Sequence, residues 1–178
     1  MDDSLSGLLP PTWRHSCLLL VHPEIRTLEQ AASSLVLRQG WSRLSVGAEL
    51  SATLLRVKDL TGLPDLSGLS PESPRDRPRA AARWFTSRTE AMVPGPVVCS
   101  EIDLLFEPCL SLDVLALLRA ASRPTRLVVL WPGSYVDDVL TYAVAAHDHC
   151  RSWRRPEVEI IDLTGFQKPV SRHEAASP

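Results

Sequence analysis

The residues that could do nucleotide chemistry would follow the first apolar run, residues 17–21, where the chain reads HPEIRT. A phosphate-binding loop needs glycines, whose backbone N–H groups wrap the phosphates, together with a Lys for charge and a Ser or Thr for magnesium. This connection contains neither Gly nor Lys, and Pro23 removes one N–H donor. Glu24 places negative charge where phosphate would sit, and Arg26-Thr27 stands at the position that the Lys-Thr pair of such a loop would take, as a relic of that pair would. We therefore expect a strand–helix connection that does not bind ATP tightly.

A second candidate position follows the apolar run Val97-Val98-Cys99. Glu101 and Asp103 come directly after it, and an apolar strand followed by an acid is typical of a Walker-B strand, where a carboxylate holds magnesium through water. The same pattern occurs wherever a strand meets solvent. Because the first connection lacks its phosphate-binding residues, we expect Glu101 and Asp103 to lie in a polar loop or to cap a helix.

One stretch of the chain is rich in residue types that bind metals. The run His147-Asp148-His149-Cys150 contains good ligands, but zinc sites take their ligands from two separated pairs and no second pair is present. On a helix over 135–150, His147 and Cys150 would share a face and His149 would not. No G-x-S-x-G motif marks a nucleophilic serine. We expect no metal, no cofactor and no catalytic residue.

Two groups of arginines surround aromatic residues. Arg75, Arg77, Arg79, Arg83 and Arg88 flank Trp84 and Phe85, and Arg151, Arg154 and Arg155 flank Trp153. Such groups suit phosphate contact with base stacking, a protein interface, or an ordinary solvated surface, and all three interpretations stay open. The interaction candidates are Arg79, Arg83, Trp84, Arg88, Arg151, Trp153 and Arg154.

The order of elements predicts an α/β fold. Strands are expected at 17–21, 41–46, 97–100, 126–130 and 158–163, and helices at 27–39, 48–60, 80–91, 112–121 and 135–150, with Thr27 capping the first helix and Gly40 ending it. Alternating strands and helices indicate a three-layer, mainly parallel five-stranded sheet. We assign a flexible arm to 1–12, a single domain to 13–164 with a Pro/Ser-rich insertion at 61–78, and a disordered tail to 165–178.

Composition limits the class of protein. The 178 residues carry a formal net charge of −2, which argues against a polyanion-binding surface covering the whole protein. The four cysteines show no C-x-x-C spacing, and no secretory signal or apolar stretch of about 18 residues is visible. We expect a cytoplasmic protein.

Several stretches resemble BrxF, the small P-loop protein of type 3 BREX phage-defence systems. The stretch LSVGAELSATLL at 44–55 is similar to its N-L-N-x-x-L-S-x-x-L-L, and IDLLFEP at 102–108 to its I-E-L-L-F-D-P. Residues 120–133, which include Val128-Val129-Leu130-Trp131-Pro132-Gly133, resemble a third stretch of the family, and Tyr142-Ala143 with His147-Asp148-His149 a fourth. The order and spacing run over about 17–163.

The resemblance implies a P-loop-NTPase-like fold and work beside other BREX proteins: an ATPase of the BrxC type, a DNA methyltransferase, a phosphatase-like protein and a helicase. Typical members carry G-x-x-x-x-G-K-T after the first strand, and Ser100 stands where the Walker-B Asp is expected.

We therefore expect a non-catalytic (pseudo-ATPase) assembly or regulatory component of a BREX-like defence complex. Its partners would be the ATPase, methyltransferase or phosphatase-like proteins, with self-association open through a sheet edge and DNA contacted indirectly. One alternative is a nucleotide-dependent switch with an atypical site at Arg26, Thr27, Glu101 and Asp103. Another is a nucleic-acid-binding accessory protein that uses the arginine groups.

Overall fold

The computed structural model describes residues 16–59, 77–143, 147 and 149–166. In chain order the helices and strands are β1 (Cys17–His22), α1 (Ile25–Gln39), β2 (Ser42–Ser45), α2 (Val46–Asp59), α3 (Arg77–Glu90), β3 (Val97–Ser100), α4 (Val114–Ala121), β4 (Leu127–Val136), β5 (Val139–Tyr142), β6 (Arg151–Arg154) and β7 (Glu159–Asp162). Short 3-10 turns span Ile102–Phe106, Pro108–Leu110 and Thr164–Phe166.

The strands form one sheet whose main path runs β2-β3-β4-β1-β7. Every neighbouring pair along this path is parallel. At the far end of β4, β5 and then β6 add in antiparallel orientation. The predicted α/β fold with a mainly parallel sheet is confirmed and is compatible with a P-loop-like three-layer fold. The predicted count of five strands was wrong, because the sheet has seven.

Helices cover both faces of the parallel strands. On one face, α1 packs Leu28, Ala32 and neighbouring residues against alternate side chains of β1, β3 and β4. On the other face, Phe85 of α3 and Leu118 of α4 pack against the remaining side chains of the same strands. All six residues of β1 are consequently buried, which explains why this strand is a continuous apolar run in the sequence.

The predicted helix over 135–150 was wrong. Strand β4 continues through Pro132 and Gly133, which were expected to end it, and returns as β5 after a turn at Asp137 and Asp138. Both turn residues have positive φ, 50° and 62°, as a two-residue hairpin turn of type I′ requires. The pairing tolerates Pro132, whose carbonyl accepts the N–H of Ala143 at 2.8 Å. Gly133 is needed, since a Cβ there would lie 1.9 Å from the carbonyl oxygen of Thr141.

The helix ends also differ in part from the prediction. Helix α1 begins at Ile25, so Thr27 lies inside its first turn and does not cap it; its hydroxyl donates to Glu24 Oε2 at 3.0 Å. Gly40 ends α1 with φ of 66°, as expected. Helix α4 begins at Val114 instead of residue 112, because Asp113 caps it by accepting the N–H of Ala116 at 3.0 Å.

Several predictions fall on other parts of the chain. The arm at 1–12, residues 61–76 of the insertion and the tail from 167 lie outside the described residues, whereas Arg77 and Pro78 already belong to α3. Among the helices that are described, none combines the length and the apolar character needed to cross a membrane.

Candidate functional site

The connection between β1 and α1 lies at the carboxyl end of an inner strand of the sheet, and open α/β sheets bind ligands at the carboxyl ends of their strands. Only Pro23 and Glu24 separate the two elements. His22, 3% exposed, accepts the N–H of Glu24 on Nδ1 at 2.9 Å. Because the N–H of Glu24 is hydrogen-bonded to the imidazole, it is not available to a phosphate. Pro23 has no N–H to donate.

Arg26 and Thr27 lie in the first turn of α1. Thr27 donates its hydroxyl to the Glu24 carboxylate, so a negative charge lies against the first turn of α1. Arg26 is exposed in that turn. An anion at a helix N-terminus needs unoccupied N–H groups and no competing carboxylate. Here Glu24 supplies such a carboxylate, and Pro23 lacks an N–H.

Glu101, the first of the two acids after β3, is bonded to the start of α2. Its Oε2 accepts the hydroxyl of Ser45 at 2.5 Å and the N–H of Ala48 at 3.1 Å. Glu101 itself has a left-handed backbone, φ 55°. Gly47 permits the close approach, because a Cβ there would lie 3.0 Å from Glu101 Cβ. The carboxylate thus stabilises the N-terminus of α2.

Ser100, at the expected Walker-B position, is buried and belongs to a polar link between three elements. Its Oγ accepts from Nε and Nη2 of Arg43 at 3.2 and 3.1 Å. Nη2 of Arg43 also pairs with Glu29 Oε2 at 2.6 Å, which connects β2 and β3 to α1. The serine hydroxyl is therefore already used inside the protein.

Asp103, the second acid, accepts the hydroxyl of the buried Tyr142 at 2.5 Å. Burial raises the pKa of Tyr142 well above its usual value, and the hydrogen bond to Asp103 and its negative charge raise that pKa further. Phe106 stacks on Tyr142 with ring centroids 3.6 Å apart, while Trp131 and Trp153 meet these rings edge-on. This aromatic cluster lies beyond the carboxyl end of β3 and includes Trp131 from within β4.

The two candidate pairs follow different strands of the sheet. Arg26 and Thr27 lie at the start of α1, after β1, and Glu101 and Asp103 follow β3. Both β1 and β3 pair with β4. Thr27 bonds to Glu24, Glu101 bonds to Ser45 and Ala48, and Asp103 bonds to Tyr142. None of these contacts joins a residue of one pair to a residue of the other.

The interaction candidates lie on different elements. Arg79 and Arg83 are exposed one turn apart on α3, whereas Trp84 is partly buried against the core. Arg88 pairs with Glu49, with Nη2 3.2 Å from Oε1, and this hydrogen bond raises its pKa. On β6, Arg151 and Arg154 are exposed while Trp153 packs into the aromatic cluster.

A cleft of about 250 Å³ lies between β6 and the segment that leads into α4. Its lining comprises Phe106, Glu107, Pro108, Ser111, Leu112, Asp113, Val114, Arg151, Ser152 and Trp153. This volume is below the roughly 300–1,000 Å³ of pockets for small-molecule ligands. The sequence did not reveal the cleft, because β6 and the β4–β5 hairpin were not predicted.

The histidine run is not helical at its described positions 147, 149 and 150. Instead, the N–H of His149 donates to Nδ1 of His147 at 3.1 Å, and Nε2 of His149 lies 3.8 Å from Glu107 Oε1. The expectation that His147 and Cys150 share a helix face was therefore wrong. Within the described residues, which omit Asp148, no three potential ligands gather as a metal site would require.

Comparison of the chain with protein families, with curated proteins and with solved structures finds no match.

Proposed function

We propose that the protein is a non-catalytic, pseudo-ATPase-type assembly or regulatory component of a BREX-like phage-defence complex in the bacterial cytoplasm. The observation that carries the non-catalytic part is the two-residue connection between β1 and α1, with its amide bonded to His22. The defence role rests on the resemblance of the sequence stretches to BrxF. The partners would be the ATPase, methyltransferase or phosphatase-like proteins of the system, and contact with DNA would be indirect.

The bonding of the relic residues supports this proposal. Glu101 caps α2, Asp103 accepts from Tyr142, and Thr27 donates to Glu24. A Mg²⁺–nucleotide complex would have to displace these internal contacts before it gained its own. A scaffold role needs only the folded domain and its surface.

Isothermal titration calorimetry with ATP and Mg²⁺ tests the proposal. We expect no saturable heat for the wild-type protein at concentrations that would detect micromolar affinity. Arg26→Ala and Glu101→Ala serve as matched variants. Saturable binding that either substitution abolishes would contradict the proposal and would establish the nucleotide-switch alternative.

A further inference from the structure

Strand β6 is the outer strand of the antiparallel extension. It pairs with β5 through Leu140↔Trp153 and three further residue pairs, and within the described part of the chain no other strand pairs with it. The N–H of Arg155 donates to the carbonyl of Asp138 at 2.7 Å, on the β5 side. Since backbone groups alternate in direction along a strand, those of Trp153 also point towards β5, and those of Ser152 and Arg154 point outwards.

The hydrogen bonds between β5 and β4 lead to the same conclusion about which backbone groups of β6 point away from β5. The N–H of Ala143 donates to Pro132 of β4, so the backbone groups of Thr141 and Val139 point towards β4. Those of Leu140 and Tyr142 then point towards β6. The free side of β6 therefore presents the N–H and C=O groups of Ser152 and Arg154, the arrangement that another strand can pair with.

The two faces of β6 differ in chemistry. Trp153 lies on the side of the aromatic cluster and of the cleft. Arg154 is exposed on the opposite face, and the side chain of Arg155, which follows it, is 83% exposed with its Nε 3.9 Å from Asp138 Oδ2. The face of Trp153 thus borders a cleft of mixed polar and apolar lining, and the other face carries the positive charge of Arg154.

We infer that β6 is a docking edge for an extended peptide segment of a partner protein, which adds to the sheet as a further strand. Because side chains alternate along a strand, the segment would direct apolar residues into the cleft and acidic residues towards Arg154. The inference rests on the proposed function, and it names the chemistry of the partner that such an assembly component recognises.

A peptide fits this edge better than a nucleic acid does. The backbone groups of β6 that point away from β5 include carbonyls as well as N–H groups. Phosphate oxygens only accept hydrogen bonds, so a phosphate backbone could pair with the N–H groups but not with the carbonyls. The cleft beside β6 is lined in part by Phe106, Leu112 and Trp153, which suit an apolar side chain. Its small volume suits one side chain of a bound strand.

The test uses a fluorescein-labelled eight-residue peptide in which Asp and Leu alternate, and a second peptide with the same residues in non-alternating order. Fluorescence anisotropy should show saturable binding of the alternating peptide and at least about tenfold weaker binding of the other. Ser152→Pro removes an outward N–H without removing a donor to β5, so it should weaken binding at least about tenfold. Ser152→Ala keeps that N–H and should bind like the wild type.

Two further measurements keep the test independent of folding defects. Arg154→Glu changes only an exposed side chain, and it should weaken binding of the acidic peptide by an amount that shrinks as salt is added. Hydrogen exchange should show that bound peptide protects the amides of Ser152 and Arg154. Circular dichroism checks that each variant remains folded.

Three results would overturn the docking edge: no binding to the wild type, equal binding to Ser152→Pro and Ser152→Ala, or binding of single-stranded DNA in place of the peptide. These results leave the proposed pseudo-ATPase role standing if ATP still fails to bind. Conversely, ATP binding would contradict that role whatever the peptide does.

Discussion

At the residue scale, polar side chains that a nucleotide site would use are bonded to other parts of the chain. His22 accepts an amide at the end of β1, and Glu101 holds the start of α2. The carboxylate of Asp103 accepts from a phenol whose pKa is raised. The same residue types that suggest magnesium chemistry in the sequence therefore stabilise local structure here.

The buried phenol gives a prediction for alkaline pH. An unfolded Tyr ionises near pH 10, whereas Tyr142 in the folded protein keeps its proton to higher pH, so its contribution to stability is complete below about pH 10 and is lost above it. Tyr142→Phe should cost about 1 kcal/mol near neutral pH through the lost hydrogen bond. It should also make stability fall less steeply as the pH rises above about 10.

Urea unfolding at a series of pH values measures both effects. Tyr135→Phe is the matched control, because the hydroxyl of Tyr135 donates to Asp138 at 3.2 Å in an exposed turn and should matter less. Equal alkaline slopes for the wild type and Tyr142→Phe would show that the raised pKa of Tyr142 does not contribute to stability.

At the element scale, helices and strands were predicted correctly where the spacing of apolar residues and the residues that end an element indicated the same structure. The buried run of β1, the amphipathic α1 and Gly40 at its end were all visible. The β4–β5 hairpin was not, since Asp137-Asp138 lacks the usual Asn-Gly turn signal and Pro132-Gly133 suggests a break. Recognising it requires the long-range pairing of Gly133 with Tyr142.

The candidate site was predictable to a lesser extent. The lack of glycine and lysine after β1 can be read directly, and it agrees with the short connection found there. The contacts of Glu101 and Asp103 could not be predicted, because their partners Ser45 and Tyr142 are distant in the chain. The edge of β6 could not be predicted either, because β6 pairs with the β4–β5 hairpin and that hairpin was not predicted.

Helix capping gives a prediction at the element scale. Asp113→Ala should lower the free energy of unfolding by about 1 kcal/mol, since it removes the side chain that accepts the N–H of Ala116. Thr27→Ala should be neutral or slightly stabilising, because Thr27 caps nothing and Ala is the better helix former. Chemical denaturation compares the two variants directly. A larger cost for Thr27→Ala would restore Thr27 as the helix cap predicted from the sequence.

At the scale of the whole molecule, the sheet has a protected centre and an outlying extension. Strand β1 lies between β4 and β7 and is covered by helices on both faces. Strand β6 lies at the end of the hairpin and pairs, in the described residues, with β5 alone. Resistance to local opening should therefore differ strongly between these strands.

Native-state hydrogen exchange tests this difference. The amides of Leu19 and Leu20 should exchange most slowly, near the rate set by global unfolding, because their opening requires the centre of the sheet to separate. The outward amides of Ser152 and Arg154 should exchange fastest among strand residues. Uniform protection across β1 and β6 would contradict this order and would also argue against an accessible β6 edge.

The two-residue connection between β1 and α1 has an evolutionary consequence. A phosphate-binding loop differs from it in length as well as in composition, because four residues separate the glycines of G-x-x-x-x-G-K-T and only Pro23 and Glu24 lie between these elements. Changing Arg26 to Lys would create a Lys-Thr pair and still leave no loop to surround a phosphate. A phosphate-binding loop of this type would need an insertion here, so single substitutions, the commonest kind of genetic change, cannot build one.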